Sequence, residues 1–360
     1  MRTYGMLLLP SHNRVYARAS VDLARAELLV TGDALLGGRI RDVAETALAG
    51  VPYVTFATEK PLTEGEVAAL ANLSSLYALF EIEDGRLAPV ELTRLDTFGS
   101  ELITIQKYAG KTNEDFTKLL LNVTAMACAD PERLLRRELR VLDPLCGRGT
   151  TLNQAVMYGL DAAGVERDGK SFDAYAAFLR QWLKNSRIKH RAQTTTVRRD
   201  RRSLGRRFHC ELGATKEAYK RGESIDVTMV NADTAASGDF FRSASFDLIV
   251  TDAPYGVQHG ATARAQVSRS PMPLLTSALP VWARLLRPGG AIGIAWNTLV
   301  ARRSELASLL ADHGFEVADS EAHQGFRHRV DQAIVRDLVV ARLPAGRGRA
   351  VGPAATDRDR

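Results

Sequence analysis

The stretch that decides the fold is Val141-Leu142-Asp143-Pro144-Leu145-Cys146-Gly147-Arg148-Gly149-Thr150-Thr151. It reads as a strand, a glycine turn and the start of a helix. Two glycines let the backbone approach a ligand closely. The helix is expected from Thr150 to Tyr158, with Gly159 as its C-terminal stop. A second strand, Ala162 to Val165, then ends in Glu166. This βαβ unit points to a nucleoside cofactor, and an acidic residue closing the second strand suits ribose hydroxyls.

The charges of the turn narrow the choice. A dinucleotide fingerprint needs a third glycine where this chain has Leu152. Asp143 repels a pyrophosphate but attracts the ammonium of an amino-acid-bearing nucleoside. S-adenosylmethionine is the expected cofactor.

Downstream, Ser245-Phe246-Asp247-Leu248-Ile249-Val250-Thr251-Asp252-Ala253-Pro254-Tyr255-Gly256 is an apolar strand ending in a polar and aromatic tip. Pro254 biases Ala253 away from helix. Ligands of open parallel sheets sit at such strand ends. Between these stretches, Asp226 to Val230 reads as another strand, and Asp233 beyond it suits the adenine amino group. Upstream, Thr112 or Asn113 caps a helix with apolar positions Phe116, Leu119, Leu120, Val123 and Met126. Leu274 to Leu286 and Leu306 to Leu310 read as helices. Ala291 to Trp296 reads as a fifth strand, Phe315-Glu316-Val317 as the start of a sixth, and Ala333 to Ala341 as a seventh paired with it.

The 360-residue chain carries a formal charge of +6, with 45% hydrophobic and 25% charged residues, the make-up of a globular protein with a real core. Three cysteines lack metal-ligand spacing, and no apolar run is long enough to span a bilayer. No metal, no membrane partner and a cytoplasmic monomer are expected. Basic residues crowd Lys189 to Arg207, a solvated loop on one reading and a phosphate-binding surface on the other. The expected organisation is an N-terminal α+β domain over 1–100, a catalytic domain over 101–343 with a basic insertion at about 188–222, and a disordered tail over 344–360. The loop from Gly256 to Pro271 has the composition of a mobile flap.

Asp143-Pro144-Leu145-Cys146-Gly147-Arg148-Gly149-Thr150 resembles the first motif of class I S-adenosylmethionine-dependent methyltransferases that act on exocyclic amines of nucleic-acid bases. Asp252-Ala253-Pro254-Tyr255-Gly256 resembles their Asp-Pro-Pro-Tyr motif. Lys107-Tyr108-Ala109-Gly110-Lys111-Thr112-Asn113 is similar to a segment of the tRNA guanosine-10 N2-methyltransferases. The resemblance covers residues 100 to 342 and implies an α/β fold with a Rossmann-like, seven-stranded sheet. It implies that Thr112, Asn113 and Phe116 line the methionine end of the cofactor. Asp143, with Pro144, Cys146, Gly147, Gly149 and Thr150 of the turn, would hold the amino-acid portion; Glu166 would hold the ribose and Asp233 the adenine. In the catalytic set Asp252, Ala253, Pro254 and Tyr255, the Asp252 carboxylate would accept from the target amine and Tyr255 would stack on the base. Alanine stands at 253 where the family has proline, and it keeps the backbone carbonyl that serves as second acceptor. The THUMP domain typical of the tRNA-acting relatives is not matched by residues 1–100. The implied substrate is guanine N2 in tRNA, with DNA adenine N6 or cytosine N4, or an idle nucleic-acid-binding protein, as the alternatives.

Overall fold

The computed structural model describes residues 1–9, 14–108, 110–254 and 270–345, leaving aside the side chains of 14–18. The first unit contains β1 (Arg2–Leu8), α1 (Arg14–Leu35), β2 (Arg41–Leu48), β3 (Val51–Thr58), α2 (Glu64–Leu70), β4 (Leu76–Glu83) and β5 (Arg86–Val90). Its five strands form an antiparallel sheet in the order β2-β3-β1-β4-β5. Tyr4, Met6, Val54 and Phe56 alternate toward the two helices, as a sheet covered on one face requires. Thr63 and Glu66 form a capping box at the start of α2. β2 and β5 escaped sequence reading because they are edge strands with mostly exposed residues, so no buried alternation marks them.

The second unit follows with α3 (Glu101–Thr104), α4 (Glu114–Met126), β6 (Arg140–Asp143), α5 (Thr150–Met157), β7 (Asp161–Glu166) and α6 (Gly169–Asn185). Then come β8 (His190–Arg199), β9 (Arg202–Leu212), α7 (Lys216–Lys220), β10 (Ile225–Asn231), β11 (Phe246–Asp252), α8 (Met272–Leu285), β12 (Leu286–Asn297) and α9 (Arg303–Asp312). The unit closes with β13 (Glu316–Val317), α10 (Glu321–Gln324), β14 (His328–Arg329) and β15 (Val335–Arg342). The strand order is β13-β15-β12-β11-β6-β7-β10-β9-β8, with β14 also on β15. The central five strands, β12 to β10, are parallel; both flanks are antiparallel. This is a Rossmann-like α/β architecture, and chain direction across the sheet reverses between β6 and β11.

All seven expected strands are present, and β13 pairs with β15 as read from the sequence. The sheet nevertheless has ten strands rather than seven. Two of the three additions correct the reading of the basic insertion as a loop: it is a β8–β9 hairpin that extends the sheet. β8 is exposed along most of its length, so its threonines and arginines carry no hydrophobic alternation.

The two sheet faces separate by residue parity. Val141, Leu248, Val250, Leu338 and Val340 pack with Phe116, Leu119, Leu152 and Phe172 of α4, α5 and α6. Leu142, Ile249, Ile292 and Val339 pack with Leu279, Trp282 and Leu306 of α8 and α9 on the other face. Leu23, Ala26 and Val30 of α1 join the first of these cores, so α1 serves both units. The flap expected over Gly256 to Pro271 lies outside the described residues except at Ser270 and Pro271, and so does the tail beyond residue 345.

Candidate active site

Parallel pairing brings the ends of β6 and β11 together. Val141 and Leu142 register with Leu248 and Ile249, and Asp143 registers with Gly164 on β7. A period of two puts Asp143, Asp252 and Arg336 on the face shared with Val141, Val250 and Leu338, under α4 and α5. Three charged groups therefore arise at one sheet edge from three strands.

The turn after β6 is held by its own backbone. Cys146 N–H donates to the Val165 carbonyl at 3.0 Å and Gly149 N–H to the Cys146 carbonyl at 2.7 Å. Gly147 has φ 53° and Gly149 φ 81°, the left-handed region that favours glycine. At Gly149 a Cβ would come within 2.3 Å of the Tyr175 ring; at Gly147 it would meet nothing within 4 Å. Gly149 is thus required by packing as well as conformation, while Gly147 faces open space. The Cys146 sulfur packs on Gly164, where a Cβ would come within 2.6 Å. Pro144 is buried. The Gly147 N–H donates to Glu166 Oε2 at 2.9 Å, and Asp168 N–H donates to Oε1 at 2.6 Å. Burial raises the Glu166 carboxyl above its ordinary range against these hydrogen bonds. Tyr108 covers the turn: its hydroxyl lies 3.0 Å from Thr150 Oγ1, and the Arg148 guanidinium stacks 4.9 Å from its ring centre.

Asp143 is buried at 4% exposure. Its Oδ1 accepts from Leu145 N–H at 3.0 Å and from Thr251 Oγ1 at 2.9 Å. Burial pushes its carboxyl up to about 6, with the nearby Asp252 acting in the same direction.

Around Asp252, Thr112 Oγ1 donates to Oδ2 at 2.6 Å, and Arg336 Nη2 lies 3.8 Å from the same oxygen. The Arg336 guanidinium rests 4.4 Å from the centre of the fully buried Phe116 ring. The His328 ring is 5.2 Å from Phe116, and burial, reinforced by Arg336, lowers its pKa to about 4. A cavity of about 260 Å³ opens here, lined by Lys111, Thr112, Asn113, His328, Val330 and Arg336 among others. Asn113 caps α4 by accepting from Phe116 N–H at 3.0 Å. Ala253 is buried and its N–H donates to the Ala295 carbonyl at 2.8 Å, which fixes the tip of β11; Pro254 is exposed. Tyr255 lies outside the described residues.

The structure therefore groups Asp143, Cys146, Gly147, Gly149 and Thr150 around one turn with Glu166 of β7 hydrogen-bonded to it, and places Thr112 beside Asp252 and Phe116 beneath Arg336. Asp233 stands at the exposed end of β10, where its carboxylate accepts from Ala235 N–H at 3.0 Å and lies 3.8 Å from Arg167. Sequence reasoning missed Arg336, His328 and Tyr108 as site residues. A signal existed for the first: Arg336 interrupts the apolar run to Ala341, and a charge on the inward parity of a buried strand needs a partner.

Residues 134–301, just under half of the chain, match a family model described as UPF0020, RMKL-like, methyltransferase domain. This segment is a methyltransferase domain. No curated protein matches the chain. Solved structures similar to it include a TehB-like SAM-dependent methyltransferase from Corynebacterium glutamicum, 16% identical, covering 58% of this chain and 84% of that one at a TM-score of 0.32. Another is the 1,6-didemethyltoxoflavin-N1-methyltransferase of Burkholderia thailandensis with S-adenosylhomocysteine bound, 16% identical, covering 66% and 93% at 0.35. A third is a SAM-dependent methyltransferase from Methanosarcina mazei, 14% identical, covering 60% and 97% at 0.37.

The residues of the methyltransferase domain fit S-adenosylmethionine, its cofactor. The open side of Gly147 admits a ligand to the backbone, the Asp143 carboxylate suits an ammonium, and Glu166 closes the next strand.

Proposed function

We propose that this methyltransferase acts on an exocyclic amine of a nucleic-acid base, guanine N2 in tRNA. The observation that carries the reading is the tip of β11: the Asp252 carboxylate stands at the sheet edge, next in sequence to the backbone carbonyl of Ala253 and one strand away from the cofactor turn. Two such acceptors suit an amino group. Hydrogen bonds from the amine to both would turn its lone pair out of conjugation with the base and toward the incoming methyl group. S-adenosylmethionine supplies that electrophilic methyl. As the nitrogen gains positive charge, the Asp252 carboxylate stabilises it. Thr112 and Arg336 position this carboxylate, and Arg336 is itself seated on Phe116. Thiol chemistry at carbon fits poorly: Cys128 and Cys210 are pushed up to about 12 and Cys146 well above its ordinary value, each mainly by burial.

Incubation with labelled S-adenosylmethionine and total tRNA or genomic DNA, followed by digestion to nucleosides, tests the reading. N2-methylguanosine from tRNA is the expected product, and label confined to DNA would overturn the tRNA assignment. Asp252→Asn should lower transfer by about 100-fold or more while cofactor binding stays within twofold. Transfer at the wild-type rate in that variant removes Asp252 from the chemistry.

A further inference from the structure

The β8–β9 hairpin places a knot of arginine at the same edge of the sheet as the site. β9 runs antiparallel to β10, with Arg206 opposite Asn231, and Asn231 is itself opposite Glu166 on β7. Arg202, four residues before Arg206 and at the foot of the hairpin turn, therefore stands about 14 Å above the level of Glu166 at a strand rise of roughly 3.4 Å per residue. It projects on the side where Asp143 and Asp252 end their strands, not at the opposite end of the sheet.

The tip sequence is Arg198-Arg199-Asp200-Arg201-Arg202, four arginines in five residues, whereas the rest of β8, His190 to Val197, has one, Arg191. Charge placed only to protect an exposed edge strand would be needed all along β8. Here it is concentrated at the end nearest the site. Arg199 is held by Asp239 at 2.7 Å, and Arg206 by Asp173 at 2.7 Å. Among the described residues no partner is found for Arg198, Arg201 or Arg202, and all three are exposed. The tight turn sets Asp200 at φ 50° and Arg201 at φ 64°, the pattern of a two-residue hairpin turn in which glycine at the second position is the more comfortable choice. An arginine stands there instead.

The lateral distance defines what could touch both places. β9 lies four strands from β11 in the sheet, roughly 19 Å at a spacing of about 4.8 Å. A nucleoside in the site cannot reach the tip; a folded polynucleotide can. We infer that the β8–β9 hairpin clamps the phosphate backbone of the substrate RNA about 20 Å from the base that enters the site. This rests on the nucleic-acid reading above. Planar guanidinium groups bind phosphate oxygens in pairs and carry their charge at any working pH.

The test is the full-length triple variant Arg198→Ala/Arg201→Ala/Arg202→Ala beside its Arg→Lys counterpart. Binding of total tRNA and of random duplex DNA is measured against salt, with S-adenosylmethionine affinity and thermal melting as checks on the fold. The alanine variant should bind tRNA at least tenfold more weakly, and the slope of log K against log salt should shrink by about 2 to 3, since each lost phosphate contact removes roughly 0.7–0.9. The lysine variant should keep the slope. An unchanged slope in a folded alanine variant overturns the clamp, and a loss seen with duplex DNA alone overturns its assignment to RNA. Methyl transfer to tRNA by the wild type, measured in parallel, separates the two ideas. Transfer with an unchanged slope leaves the function standing and removes the clamp. A changed slope with no transfer to any nucleic acid leaves the clamp standing and removes the function.

Discussion

Asp143 is the residue at which stability and cofactor binding oppose one another. Its carboxyl rises from an ordinary 3.8 to about 6 because it is buried. Such a rise corresponds to roughly 3 kcal/mol against the charged form. Between about pH 4 and pH 6 the folded chain holds a proton on Asp143 that the unfolded chain has released, so the contribution of Asp143 to the stability of the cofactor-free protein falls as pH rises through that window. A bound ammonium reverses the preference. Asp143→Asn keeps an oxygen for Leu145 N–H and Thr251 and removes the charge. It should stabilise the cofactor-free protein by about 1–2 kcal/mol at pH 7.5, with no gain at pH 4. It should also weaken S-adenosylmethionine at least tenfold. Wild-type affinity should fall as pH drops below about 6, and calorimetry at a series of pH values reads both effects. His328 acts on stability in the opposite sense: its pKa is lowered from 6.5 to about 4, so in the same window the unfolded chain holds a proton that the folded chain has released, and the difference between Asp143→Asn and the wild type isolates the aspartate. Asp143 and Asp252 were legible in the sequence because each ends an apolar strand just before a turn. Arg336 and His328 were not, because their relation to Asp252 exists only once β15 has crossed the sheet to lie beside β12.

Among the elements, α4 shows how a local signal sets up a distant contact. Asn113 accepts from Phe116 N–H, satisfying one of the amides that a helix start leaves open. The residue before it, Thr112, is thereby aimed at Asp252, 140 positions away in sequence. Asn113→Ala should cost about 1 kcal/mol in urea unfolding, and Asn113→Asp almost nothing, because aspartate caps equally well. The alanine variant should also lose methyl transfer beyond what its stability explains, as the Thr112 hydroxyl loses its fixed place. The start of α4 could be read from the sequence since capping is a one-turn event. The edge strand β8 could not, because a strand exposed along most of its length shows neither buried alternation nor a glycine turn. Its partner β9 did carry a signal, the alternation of the buried Phe208, Cys210 and Leu212 with His209 and Glu211.

At the scale of the whole molecule, the N-terminal unit and the methyltransferase domain are joined through one buried carboxylate. Glu27 of α1 is fully buried, and burial raises its carboxyl above the ordinary range. Its Oε1 accepts from Asn122 Nδ2 of α4 at 2.8 Å, and both oxygens accept from Ser74 N–H at 3.1 and 3.0 Å. Asn122 Nδ2 also reaches the Asn72 carbonyl at 2.8 Å, and the Tyr158 hydroxyl donates to Asn122 Oδ1 at 3.0 Å. Around this network Leu23, Ala26 and Val30 belong to the same apolar core as Leu119 and Val123. Two sheets that share a core should unfold together. Denaturant melting followed by far-UV circular dichroism and by tryptophan fluorescence should give coincident transitions, although Trp182, Trp282 and Trp296 all lie in the methyltransferase domain. Glu27→Ala leaves the Ser74 amide and the Asn122 amide group without their buried acceptor, at about 1–3 kcal/mol each. The midpoint should therefore fall in both signals alike. If fluorescence holds its wild-type midpoint while circular dichroism shows an earlier step, the N-terminal unit melts alone and the carboxylate does not couple the two.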